Sequence, residues 1–190
     1  MTQPTVNLAI ALLHHPVYNK HRDVITTALT NLDLHDIARS SRTFGLERYY
    51  IVTPSHDQRS LAQRIAGHWQ NGWGADYNPD RKDALAIVRI CDTLEMAIKD
   101  FQTGFSRPVQ TVITGAARRG NSITCSGLRH RLADPGQPYL LLLGTGWGLA
   151  DECFETADLL LEPIEGAGEY NHLSVRSAAA IILDRLRGSR

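Results

Sequence analysis

The sequence predicts an α/β domain built on a doubly wound, mostly parallel sheet, and three features of its pattern predict it. Short apolar runs alternate with segments of helical period along the chain, the order that a parallel sheet with crossover helices requires. One run, the four leucines 140–143, is too short for a helix and too apolar for a surface strand, so it reads as a strand buried on both faces. Glycines follow such runs: Gly144, Gly146 and Gly148 after the leucines, Gly166 and Gly168 after Pro163. Residues without a Cβ let the chain turn sharply and bring backbone N–H groups close to a ligand, and ligands of open α/β sheets sit outside the carboxyl ends of strands.

Residues 7–13 (NLAIALL) form the first strand, which ends at His14, His15 and Pro16. Neighbouring histidines on a strand point to opposite faces, which argues against one shared metal, and no metal site is expected elsewhere. Residues 17–20 are a loop, and 24–29 are β-branched enough for a strand or a strand-like turn. In residues 31–44 Leu34, Ile37, Ala38 and Phe44 recur at helical spacing, and Gly45 supplies the stop. Residues 49–52 are a second buried strand, and 57–69 an amphipathic helix with Leu61, Ile65 and Trp69 inward. The stretch NGWGADYNPDR, 71–81, is expected to be a loop in which Trp73, Tyr77 and Arg81 either pin the chain or stack on bases.

Residues 86–91 are a third strand, 93–101 a helix, and 109–114 a fourth strand running into TGAARRG. Arg118 and Arg119 form one basic corner, and Arg129, His130 and Arg131 another on the next helix. Each is either a solvated face or an RNA contact. A short strand at 159–161 precedes a last helix, 174–186, whose cap is Asn171 or Ser174. Ala178, Ala179, Ala180, Ile181, Ile182, Leu183 and Leu186 make that helix more apolar than one buried face needs.

A chain of 190 residues with 43% hydrophobic content fits one domain, 1–190, with a sizeable core. Twenty basic and twenty acidic residues cancel, so no global field draws the chain to nucleic acid or an anionic membrane, and any RNA contact must be local. Cys91, Cys125 and Cys153 are odd in number and lack CxxC spacing, which argues against a disulfide framework and a zinc site and points to a reducing cytoplasm. The first residues carry no basic leader, and their apolar run is too short to span a membrane.

Taken alone, GTGWG is either a tight turn or a ligand loop. It is not the dinucleotide fingerprint GxGxxG, and it lacks the lysine of a phosphate-binding P-loop. Together, however, GTGWGL and the segment PIEG…YNHLSVRSAAAIILDRL resemble motifs two and three of the SPOUT class of S-adenosylmethionine-dependent RNA methyltransferases, and within that class a bacterial family of RNA methyltransferases. The similarity extends over nearly the whole chain, through VYNK, TALTNLDLHDIARSSRTFG, YYIVTP and HW followed by YNP.

The resemblance implies a C-terminal trefoil knot, a homodimer with active sites shared between subunits, and an RNA substrate, tRNA or rRNA. It implies a pocket for S-adenosylmethionine formed by Thr114 and Gly115, by Leu143, Gly144, Thr145, Gly146 and Trp147, and by Ile164, Glu165, Gly166, Asn171, Leu173 and Ser174. In motif one, roughly NxGxxxRTAxxFG in ribose-methylating relatives, Arg39 and the following FG match. Arg39 is thus a candidate for gripping a phosphate or steadying the nucleophile. Asp33 replaces the Asn of those relatives and His35 the Gly, which leaves base and ribose methylation both open. A proton acceptor is needed at either target, and Asp36, Glu165 and His172 are the candidates. Glu165 has a local cap as its alternative role, and His172 a cap of the last helix. The alternatives to an RNA methyltransferase are a non-catalytic RNA-binding or scaffold protein that retains the knotted pocket, and a nucleotide enzyme that seats a phosphate on GTGWG.

Overall fold

The computed structural model describes residues 6–168 and 170–189, so residues 1–5, Glu169 of the GAGEY stretch and Arg190 lie outside the described residues. Six parallel strands form the sheet in the order β5-β4-β1-β7-β6-β8: β1 (Leu8–Leu13), β4 (Tyr49–Val52), β5 (Val88–Cys91), β6 (Gln110–Ile113), β7 (Tyr139–Gly144) and β8 (Leu159–Leu160). β1 and β7 are central and paired from Leu8 with Tyr139 to Leu13 with Gly144. Their side chains are buried on both faces, which is why neither run alternates with polar residues. A two-stranded antiparallel hairpin, β2 (Val17–Tyr18) and β3 (Val24–Ile25), stands apart from the sheet.

Helices cover both faces. α1 (Asn31–Thr43), α2 (His56–Gln70), α4 (Pro79–Ala86), α6 (Cys125–Arg131) and α8 (Val175–Arg187) pack one core through Leu34, Ile37, Ala62, Leu85, Leu128, Ala179 and Ile182. α5 (Leu94–Gln102) and α7 (Asp151–Thr156) pack the other through Ala97, Phe101 and Cys153. The chain moves outward from β1 to β4 and β5, then returns to the other side for β6, β7 and β8. The reversal falls between β1 and β7, the place where open α/β sheets leave a crevice.

Caps set the helix starts. The side chains of Thr30, Ser55, Thr93, Thr124 and Ser174 each accept a backbone N–H of the first turn that has no partner inside the helix. Ser174 is therefore the cap of α8, while the Asn171 side chain donates to the Ala116 carbonyl at 3.2 Å. The expected loop at 71–81 is instead two helices, α3 (Trp73–Tyr77) and the start of α4. Asn78 accepts the Arg81 N–H and Pro79 sits in the first turn, so residues that looked like loop punctuation act as a helix start. Trp73 and Tyr77 stack on each other with ring centroids 4.8 Å apart, and Arg81 lies over Trp69.

The excess apolar surface of α8 is taken up mainly within the chain: Ala179, Ile182, Leu183 and Leu186 are buried, and the helix packs on α1 and α6. Arg129 of the second basic corner reaches the end of α8 and donates to the carbonyls of Arg185 and Gly188, which suits a cation at a helix C-terminus. The three cysteines are free and buried. No helix among the described residues is long and apolar enough to cross a membrane.

Candidate functional site

A cavity of about 590 Å3 opens beyond the carboxyl ends of β6, β7 and β8, under the β2–β3 hairpin. The hairpin is joined to the GTGWG loop through backbone hydrogen bonds, Trp147 N–H to the Tyr18 carbonyl and Tyr18 N–H to the Gly148 carbonyl, both 2.9 Å. This close approach explains two of the glycines. Gly146 has φ +59°, and a Cβ there would stand 2.9 Å from the Tyr18 carbonyl oxygen. At Gly144 a Cβ would come within 2.6 Å of Leu149. Packing of the chain on itself therefore accounts for these glycines, and the loop they make is one wall of the cavity.

Beneath the loop runs a row of polar groups. The hydroxyls of Thr145 and Thr27 are 2.5 Å apart, and Thr27 lies 3.1 Å from His14 Nδ1. His14 is fully buried, and desolvation holds its pKa at about 4 against a weaker opposing pull from Asp33, so it is neutral at physiological pH. His15 faces the other way, exposed, with Nδ1 3.3 Å from the Ile25 carbonyl.

Asp33 is buried at the start of α1 and lines the cavity. The Thr30 hydroxyl donates to its carboxylate at 2.6 Å, while Thr30 Oγ1 accepts the Asp33 N–H at 3.0 Å. Arg176, on α8, lies 3.3 Å from Asp33 and 3.6 Å from Asp36, and so ties the first helix to the last across the cavity wall.

The structure brings most of the residues singled out from sequence to this one wall. Thr114, Gly115, Leu143, Gly144, Thr145, Gly146, Trp147, Ile164, Asn171, Leu173 and Ser174 line the cavity, as does His172, whose ring meets Trp147 edge-on at 6.3 Å. Glu165 and Gly166 do not. The Glu165 carboxylate is held outward by a two-point ion pair with Arg118, whose hydrogen bond keeps it below the usual carboxylate range. Asp36 and Arg39 are also off the cavity of their own chain. Asp36 faces Arg176, and Arg39 is exposed with no hydrogen bond or ion pair among the described residues.

Sequence reasoning missed Tyr18, Arg22, Thr27, Asp33, Phe154 and Arg176 as wall residues, and it weighed Arg119 only as part of a surface corner. Asp33 carried the one available signal, an Asp where the similar motif has Asn. The others arrive from the hairpin and from helix faces, positions that no local pattern marks.

The comparisons with known proteins agree with this geometry. A family model described as SAM-dependent RNA methyltransferase matches residues 7–188. A tRNA (guanine-N(1)-)-methyltransferase of Oleidesulfovibrio alaskensis is 48% identical over 188 residues, which is 98% of this chain and 43% of that protein. The chain thus spans less than half the length of that relative, and the name describes the whole of it. An uncharacterized protein of Aquifex aeolicus is 42% identical over 180 residues, 95% of this chain and 88% of its own length. Among solved structures, the SpoU methyltransferase AviRb of Streptomyces viridochromogenes, in complex with the cofactor AdoMet, superposes with a TM-score of 0.59 at 13% identity, over 98% of this chain and 58% of that one. That likeness concerns the fold. With a matching family model over nearly its whole length, the chain belongs to the SAM-dependent RNA methyltransferase family that this model describes.

Proposed function

We propose that this chain transfers the methyl group of S-adenosylmethionine to tRNA, as a cytoplasmic homodimer whose C-terminal segment forms a trefoil knot. The observation that carries the reading is the single cavity walled by GTGWG, by the strand end at Thr114 and by residues 171–174. Its volume of about 590 Å3 suits a small-molecule site. Its walls combine strand-end backbone, apolar Leu143, Leu149, Ile164 and Leu173, and the Asp33 carboxylate. That mixture fits a ligand with a flat adenine, an amino-acid end and a sulfonium.

When bound, S-adenosylmethionine supplies a methyl carbon already activated by its positive sulfur. The protein must hold the attacking atom in line and close to it, and accept a proton where the target carries one. His172 and Asp33 are the wall residues suited to receive that proton. Arg39, exposed and unpaired among the described residues, suits the completion of a partner subunit's site better than its own, and this favours the dimer. The tRNA assignment draws on the Oleidesulfovibrio relative's name alone.

Calorimetric titration tests the pocket. Wild-type protein is expected to bind S-adenosylmethionine, and Ala178→Leu, which adds volume at a wall position on α8, to lose at least about tenfold in affinity with its circular dichroism unchanged. Preference for ATP or NAD would overturn the reading. Transfer of labelled methyl to total tRNA, with ribosomal RNA as the comparison, tests the substrate.

A further inference from the structure

The rim of the cavity carries a group of side chains that cofactor binding does not call for. Arg22 comes from the β2–β3 turn, Arg119 from the loop after β6, and Asp151 from the start of α7. The Asp151 carboxylate receives one guanidinium on each oxygen, Arg22 at 2.9 Å on Oδ2 and Arg119 at 2.7 Å on Oδ1. Tyr18 adds its hydroxyl at 3.1 Å. The guanidiniums are also propped from below, Arg22 over the Tyr18 ring at 4.2 Å and Arg119 over Phe154 at 3.9 Å. One carboxylate between two cations leaves a net positive charge, and a guanidinium has five N–H donors, of which these contacts use few.

Arg22 is also held at φ +67°, the left-handed region, where glycine or asparagine would sit without strain. The turn that imposes it is tight: Asn19 accepts the Arg22 N–H through its carbonyl and the His21 and Asp23 N–H groups through its side chain. A long cation at a position suited to glycine points to a use for the side chain. Also on the cavity wall stand Trp147 and His172, with Tyr170 beside His172, and both Trp147 and Tyr170 are strongly exposed.

We propose that Arg22 and Arg119, aligned by Asp151, clamp an RNA phosphate next to the nucleotide being methylated, while Trp147 and Tyr170 offer faces for its base. Planar guanidiniums match phosphate oxygens in pairs, and stacking on exposed aromatic rings holds a base taken out of its helix. Asp151 is a positioning residue in this arrangement. The clamp rests on the function proposed above, yet it is tested separately, because cofactor and RNA binding are read in different titrations.

The test is binding of fluorescently labelled total tRNA, followed by anisotropy across a series of salt concentrations, alongside calorimetry with S-adenosylmethionine. Replacing both arginines (Arg22→Ala with Arg119→Ala) is expected to weaken tRNA binding about tenfold or more and to flatten the salt dependence by about 0.7–0.9 in the log–log slope, the loss of one phosphate contact. Cofactor affinity, which both arginines can touch only from the rim of the cavity, should fall much less than tRNA affinity. The single variant Arg22→Gly separates binding from folding: it relieves the left-handed strain, so its melting temperature should hold or rise while tRNA affinity falls. Unchanged tRNA affinity in the double variant overturns the clamp. So does an equal loss of cofactor affinity, which would assign the arginines to the cofactor, or a lower melting temperature for Arg22→Gly with tRNA binding intact. Wild-type protein that binds tRNA but no cofactor would overturn the function proposed above while leaving the clamp measurable.

Discussion

The GTGWG loop and the first helix, two of the segments that carry the family resemblance, serve the cavity in different ways. The loop continues β7, whose register against β1 is fixed through Gly144, and all five of its residues reach the cavity wall. α1 meets the cavity only at its first turn, through Asp33. With about 100° per residue, Arg39 lies roughly 240° further round the helix than Asp33, whereas Asp36 lies about 60° from it and shares Arg176. A strand end delivers a whole loop to one place, but a helix delivers one face.

The first way to break this comparison is at the loop. Gly146→Val combines a β-branched side chain with φ +59° and a Cβ 2.9 Å from the Tyr18 carbonyl, so it should cost on the order of 3 kcal/mol and part the hairpin from the loop. The variant is thus expected to lose stability together with cofactor binding. Urea denaturation checks it, and a wild-type midpoint would show that the hairpin contact carries little.

A second perturbation acts on the polar row below the loop. His14 titrates near 4 in the folded chain and near 6.5 when unfolded, so the unfolded state binds more protons between those values. Its neutral burial contributes fully above about pH 6.5 and is lost as pH falls toward 4, a decline of about 3 kcal/mol across that window. Chemical denaturation at pH 7, 5.5 and 4 measures it. His14→Asn, which keeps a group near Thr27 but cannot titrate, should flatten that part of the profile.

How far the sequence disclosed these features depended on how local their causes are. Strands β1, β4 and β7 and helices α1, α2 and α8 follow from apolar period and caps within a few residues, and they were legible. The helical turns at 73–86 were not, because Asn78 and Pro79 serve equally as loop breakers and as a helix start. At the site, the glycine loops and Ser174 were legible as strand-end and helix-cap signals. Arg22, Thr27 and Arg176 were not, since a hairpin turn and a helix flank acquire a role only when distant elements close around them.

A smaller effect is expected at the tie between the helices. Asp33→Asn keeps the Thr30 contact but removes the charge facing Arg176, itself about one-third exposed, and should cost about 1 kcal/mol. Arg176→Ala should cost more, because it leaves a buried carboxylate without its cation. A double-mutant cycle isolates the coupling, and a value near zero would mean that packing alone joins α1 to α8.

The least effect on stability, and the sharpest contrast between the two regions, belongs to Arg39. Its side chain is exposed and unpaired among the described residues, while the carboxylate one turn earlier, Asp36, already faces Arg176. Arg39→Lys should therefore change unfolding free energy by less than about 0.5 kcal/mol. Cofactor affinity should stay at the wild-type value too, since Arg39 is off the wall of its own cavity. If Arg39 serves the site of a partner subunit, the exchange keeps the charge but loses the planar fork that grips two oxygens, and single-turnover methyl transfer should fall about tenfold or more. Mixing this variant with a cavity-blocked Ala178→Leu chain then restores transfer in a mixed dimer, where an intact cavity meets an intact Arg39 from the other subunit. Wild-type transfer by Arg39→Lys would leave α1 contributing Asp33 alone, and a slow rate without rescue on mixing would confine Arg39 to its own subunit.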